Sequence, residues 1–194
     1  MRKLLTSLLL TLLAAATAAT AAVPESVTRA VRRVDEAATL DVACTINGRA
    51  ASMTLSGNCF YIDLGGACIY FDGKTQWSYA PADKEVTVFE PTAEELAETN
   101  PLQILHSLAS DYKGANVKGK ANTVRLTPLN PRSRVAEVTV TFDPATGWPS
   151  SMTLITDSGR ADFANLRFTP SKTKKPAGAF KFQPPAGTTV NDLR

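Results

Sequence analysis

From Leu40 onward, apolar residues recur at every second position in short runs broken by tight-turn dipeptides. Period two marks half-buried antiparallel strands, because successive side chains leave a strand on opposite faces. Residues 39–46 and 50–55 flank Asn47-Gly48, and 58–63 and 67–71 flank Gly65-Gly66. Both dipeptides suit two-residue hairpin turns. Asp72-Gly73-Lys74-Thr75 leads into 76–80, and Pro81-Ala82-Asp83 into 85–89. Strand patterns return at 124–126, 136–142, 151–156 and 162–168, while 170–175 is loop-like and Phe180 and Phe182 alternate before Pro184-Pro185. Ala136, Val138, Val140 and Phe142 alternate with Glu137, Thr139 and Thr141, giving one apolar and one wet face. Connections this short force an antiparallel meander and exclude a parallel α/β sheet.

Two segments break the pattern. After Pro24-Glu25-Ser26, Val27, Ala30, Val31 and Val34 fall at helical spacing, with Arg29, Arg32 and Arg33 on the other side. Thr92 and Glu95 form a capping box, and Leu102, Leu105 and Leu108 follow Asn100-Pro101 as a second short helix. The chain is thus mainly β with α. A single antiparallel sheet of roughly eight to eleven strands must curl as strand twist accumulates. Two short helices cannot cover it, so the expected shape is an unclosed half-barrel whose helices, 27–35 and 100–108, form a lid.

Residues 1–22 have the features of a secretory leader: Arg2-Lys3, an apolar run diluted by Thr and Ala, and Ala19-Thr20-Ala21 as a cleavage pattern. The expected organisation is a signal peptide at 1–22 and one domain at 23–194. The full chain has 21 Lys+Arg and 18 Asp+Glu; without Arg2 and Lys3 the balance is 19 to 18. That charge gives no reason to expect a nucleic-acid partner. Export places Cys44, Cys59 and Cys68 in an oxidising compartment. Cys59 and Cys68, on the two arms of the Gly65-Gly66 hairpin, are a candidate disulfide, with free buried thiols as the alternative.

Chemistry-bearing residues are sparse. His106 is the only histidine of 194 residues; it lies in a helical stretch, no G-x-S-x-G elbow accompanies it, and a helix-surface role is expected. One histidine and scattered cysteines cannot supply the usual zinc spacing, so no metal or other cofactor is expected. Asp143, Asp157 and Asp162 sit at strand ends, where aspartate forms turns, and no spacing singles out a carboxylate pair. The sequence is read as that of a non-enzyme. Phe60, Ile62, Ile69, Phe71, Trp77, Tyr79, Val86 and Val88 recur at alternate positions of four consecutive strands. These side chains, with Val138 and Val140, are expected to line an apolar cavity, and Val27, Val31, Val34, Leu102 and Leu105 to face it from the lid.

Asp72-Gly73-Lys74-Thr75-Gln76-Trp77-Ser78-Tyr79 resembles a DGKT-x-W-x-Y string of the LolA family, the periplasmic outer-membrane lipoprotein carrier proteins. The tail Phe180-Lys181-Phe182-Gln183-Pro184-Pro185-Ala186-Gly187, continuing to Val190 and Asp192, resembles the family's F-x-F-x-P-P-x-G-x-x-V-x-D ending. The resemblance implies a half-barrel that receives lipoprotein acyl chains in the periplasm. It also implies loading by an inner-membrane lipoprotein-release transporter and unloading to an outer-membrane acceptor, with the carrier acting as a monomer. The family's better-known members carry a K-R-P stretch on an early strand, whose arginine helps hold the lid shut; Tyr61-Ile62-Asp63-Leu64 stands there in this chain, with no arginine. The competing expectations are an exported lipid-binding or sensor protein on the same fold, and an exported hydrolase.

Overall fold

A computed structural model describes residues 22–93, 95–96 and 100–194. The expected leader at 1–22 therefore falls, but for Ala22, outside the described residues, as do the side chains of 101–103, including that of Leu102. Helix α1 spans Glu25–Asp35 and helix α2 Pro101–Ser110. The strands are β1 (Thr39–Ile46), β2 (Arg49–Ser56), β3 (Cys59–Asp63), β4 (Cys68–Phe71), β5 (Gln76–Ala80) and β6 (Glu85–Phe89) in the first half. Past α2 come β7 (Tyr112–Asn116), β8 (Thr123–Pro128), β9 (Val135–Phe142), β10 (Pro149–Thr156), β11 (Gly159–Ser171) and β12 (Thr189–Asp192). A 3-10 turn occupies Ala177–Phe180.

All twelve strands join one sheet in the order β12-β6-β5-β4-β3-β2-β1-β11-β10-β9-β8-β7. The sheet is curved and does not close into a barrel; β12 and β7 are its two edges. Neighbours are antiparallel except β12, which runs parallel to β6. Two strands exceed the sequence expectation. Tyr112–Asn116 carries no alternation, and Thr189–Asp192 is exposed throughout, so neither announces itself. Residues 170–171, expected as loop, extend β11, whose length is set by pairing with β1. Phe180 and Phe182 belong to no strand, yet both are buried.

Helix α1 begins at Pro24-Glu25, with Glu25 paired to Arg29 at 2.7 Å and Arg32 and Arg33 in its last turn, where cations favour the helix dipole. Its buried residues are Val27, Ala30 and Val34, with Val31 half-buried at the margin. The capping box forms as expected. The Thr92 backbone N–H donates to Glu95 Oε2 at 2.8 Å, and the Glu95 N–H to Thr92 Oγ1 at 3.3 Å.

One face of the sheet packs beneath the helices and holds two apolar clusters. Val124, Leu126, Val138, Val140 and Phe142 pack with Val27, Ala30 and Leu108. Leu40, Val42, Leu55, Phe60 and Phe71 pack with Val34. α1 bridges both, and Leu105 of α2 packs against each. The start of α1 sits close on the sheet at Gly114 of β7. A Cβ there would lie 2.5 Å from Pro24 Cδ and 2.7 Å from Leu126 Cδ2. Gly114→Val is therefore expected to lower stability by about 1–3 kcal/mol through overpacking, read as a lower urea midpoint with unchanged slope.

Candidate functional site

The site begins with the register of the first hairpins. Leu40 pairs with Leu55, Leu55 with Phe60, and Phe60 with Phe71. Directly opposed residues share a face, so these four form one apolar row across four strands. Val42, Met53, Ile62 and Ile69 form the next row by the same pairings. Phe60 is 1% exposed and Leu40 and Leu55 each 2%, whereas Met53, Ile62 and Ile69 remain half-buried. The helices thus cover the first row more fully than the second.

The turn 72–75 corrects the cavity expected from the sequence. It pairs Phe71 with Gln76 and Tyr70 with Trp77. Trp77 and Tyr79 consequently face away from the helices, although they continue the odd-numbered run of Ile69 and Phe71, and Val88 and Val86, paired with them, face the same way. On that outer face they pack with Phe182, which lies 5.0 Å from the Tyr70 ring and 4.8 Å from the Tyr79 ring. They are the floor under the C-terminal segment. Phe60, Ile62, Ile69, Phe71, Val138 and Val140 share the helix side, with Val27, Val34 and Leu105 above them.

Between helices and sheet a cleft of about 140 Å³ opens, lined by Val34, Asp35, Ala37, Leu40, Leu55, Gly57 and His106. That is below the roughly 300–1,000 Å³ of a ligand pocket. A long apolar guest does not fit this cleft as it stands. His106 Nε2 and Asp35 Oδ1 approach to 2.5 Å at the mouth, joining α2 to the end of α1. The side chains are 50% and 51% exposed. Ser107 and Ser110 beside His106 donate to the carbonyls of Ile104 and His106.

A second attachment holds α1 to the sheet. The Arg33 guanidinium donates to the Thr146 carbonyl in the β9–β10 turn and lies 5.1 Å over the Trp148 ring. Trp148 in turn stacks on Phe168 of β11 at 4.8 Å and 6°. Gly147 has φ +70°, and a Cβ there would come 3.3 Å from Arg33 Nη1. A polar cleft of about 370 Å³ beside this contact is lined by Arg29, Arg32, Arg33, Glu36 and the turn 144–147. Sequence reading missed Arg33 and Trp148, since nothing local to either marks a contact between them.

The remaining candidates have structural partners. Asp143 accepts the N–H groups of Thr146 and Ala145, which hold its carboxyl below the usual carboxylate range. Asp157 meets Arg134 at 3.3 Å, and Asp162 meets Arg160 and Thr153, each at 2.7 Å. The candidate Cys59–Cys68 disulfide is corrected: all three thiols are free. Cys59 stands opposite Ser56 and Cys68 opposite Asp63, at opposite ends of the β3–β4 hairpin. They are separated by roughly 13 Å along the strands, beyond disulfide reach. Burial pushes the Cys44, Cys59 and Cys68 thiols up, which disfavours the reactive thiolate.

An unclosed antiparallel sheet with two helices laid over its apolar face defines a class of half-barrel proteins with a helical cover. The chain belongs to the family described as outer membrane lipoprotein carrier protein LolA, whose family model matches residues 11–157. It is 32% identical over 125 residues to an outer-membrane lipoprotein carrier protein of Photobacterium profundum, covering 63% of this chain and 60% of that one. A protein of the same description from Vibrio vulnificus is 29% identical over 125 residues, covering 63% of this chain and 61% of the relative. The match thus spans about three fifths of these relatives. Among solved structures, an uncharacterized conserved protein from Thermus thermophilus superposes with a TM-score of 0.52 at 11% identity, covering 86% of this chain and 96% of that one. That likeness shows the fold.

Proposed function

We propose that this chain is a periplasmic carrier that takes lipoprotein acyl chains between its two helices and the inner face of the sheet, and ferries them from the inner to the outer membrane. The observation that carries the reading is an apolar sheet face only partly covered by helices, which are attached at their margins by the polar contacts of Arg33 and His106. On this reading residues 1–22 are a removed leader and 23–194 the carrier domain. Phe60, Ile62, Ile69, Phe71, Val138 and Val140 contact the chains once Val27, Val31, Val34, Leu102 and Leu105 move. A membrane transporter loads the monomeric carrier and an outer-membrane acceptor unloads it; the chain itself catalyses nothing.

The energetics ask for such a lid. Burying a CH₂ group contributes about 0.8 kcal/mol, so a sixteen-carbon chain gains roughly 12 kcal/mol gross. A fixed cavity would hold that guest too long to hand it on. Moving α1 and α2 exposes Val27, Ala30, Val34 and Leu108, and that cost is subtracted from the grip.

Mass spectrometry of what co-elutes with the protein from its native envelope tests the reading. A triacylated protein is the expected finding. Recovery of free fatty acid or isoprenoid alone points instead to an exported lipid-binding or sensor protein on the same fold and rejects the lipoprotein assignment.

A further inference from the structure

The row that floors the cleft at Leu40 and Leu55 is interrupted by a polar residue at β5. Phe71 pairs with Gln76, and Gln76 with Phe89 of β6. A glutamine therefore stands between Phe71 and Phe89 in the row of Leu40, Leu55, Phe60 and Phe71 on the helix side of the sheet. It is 4% exposed. Its Nε2 donates to Ser78 Oγ at 3.4 Å, while Oε1 has no hydrogen-bond partner. Among the described residues it is the buried side-chain oxygen or nitrogen left in that condition.

A buried, unpaired carbonyl is costly to a folded chain, and leucine at this place would remove the cost. Natural proteins break such rules of good packing chiefly at functional or strained sites. The row from Leu40 to Gln76 crosses four strand spacings, roughly 19 Å, which is the length scale of a fatty acyl chain.

We propose that Gln76 is the polar recognition point of the guest site: its Oε1 accepts the N–H of an amide-linked acyl chain, which runs back over Phe71 and Phe60 towards Leu55 and Leu40. The ligand class is N-acyl lipid, as distinct from lipids whose chains are joined only through esters. An ester presents no donor, so its arrival leaves Oε1 buried and unpaired, whereas an amide satisfies it. The inference rests on the carrier reading and narrows it to one chemical linkage.

The test compares N-ethylpalmitamide with ethyl palmitate, which differ by N–H against O, in displacing a fluorescent anthroyloxy fatty acid from the full protein. The wild type is expected to prefer the amide by roughly tenfold, the value of one net hydrogen bond. Gln76→Leu is expected to erase the preference by weakening amide binding while leaving the ester unchanged, with an unfolding midpoint equal to or above wild type. Gln76→Met makes the same comparison if leucine hinders folding. Equal binding of amide and ester by the wild type, or a preference that survives both substitutions, overturns the role of Gln76 and leaves the carrier reading standing. Failure of the wild type to bind the fluorescent fatty acid or either ligand rejects both.

Discussion

Tethering α1 to the β9–β10 turn is expected to abolish uptake of a triacylated lipopeptide. Arg33 and Thr146 are already in contact across this gap. Cysteines at both positions, with Cys44, Cys59 and Cys68 replaced by serine or alanine, can be bridged by a cleavable bis-maleimide. The bridge leaves the folded chain intact and forbids α1 to leave the sheet. The cleft of about 140 Å³ then stays as it is, too small for an acyl chain, and cleavage of the bridge restores uptake. The effect is all-or-none because Val27, Ala30 and Val34 of α1 pack against both inner-face clusters, so no route under the helix opens unless it moves. Tethered protein that takes up lipopeptide as readily as the cleaved form would falsify the lid.

Phe60→Ala and Trp77→Ala are each expected to cost about 3–5 kcal/mol, out of the roughly 5–15 kcal/mol that holds such a domain together. The two rings are similarly sequestered, at 1% and 7% exposure, but on opposite faces. Phe60 packs with Leu55 and Phe71 under α1, and Trp77 with Val88 and Phe182 under the C-terminal segment. Urea unfolding should show comparable losses. Cargo binding, measured where each variant is still folded, should fall for Phe60→Ala alone. The milder pair Phe60→Leu and Trp77→Phe carries the same contrast if the alanines prevent folding. Loss of cargo binding confined to the Trp77 variant would put the guest on the wrong side of the sheet as described.

Much of the scaffold is written in short-range pattern. β1, β5 and β6 fall where alternation between turn dipeptides places them, at Thr39–Ile46, Gln76–Ala80 and Glu85–Phe89. So do the apolar stripe of α1 and the Thr92–Glu95 capping box. These follow from side-chain periodicity and turn chemistry, both properties of a few neighbouring residues. β7 and β12 do not, because Tyr112–Asn116 and Thr189–Asp192 are strands only through pairing with β8 and β6.

The candidate site was half legible. Periodicity identifies which residues of a strand share a face, but not which face of one strand continues onto the next. That choice belongs to the turn, and the turn 72–75 moves Trp77, Tyr79, Val86 and Val88 to the outer surface while bringing Gln76 to the inner one.

Sequence by itself determined an antiparallel meander with two short helices and enough apolar alternation to require a sheltered face. Only the tertiary structure decided which face that is. The curved sheet brings Arg33 to Trp148 and His106 to Asp35, contacts spanning 115 and 71 residues respectively. Such contacts depend on where whole strands and helices come to rest, and no local preference of the chain encodes that position.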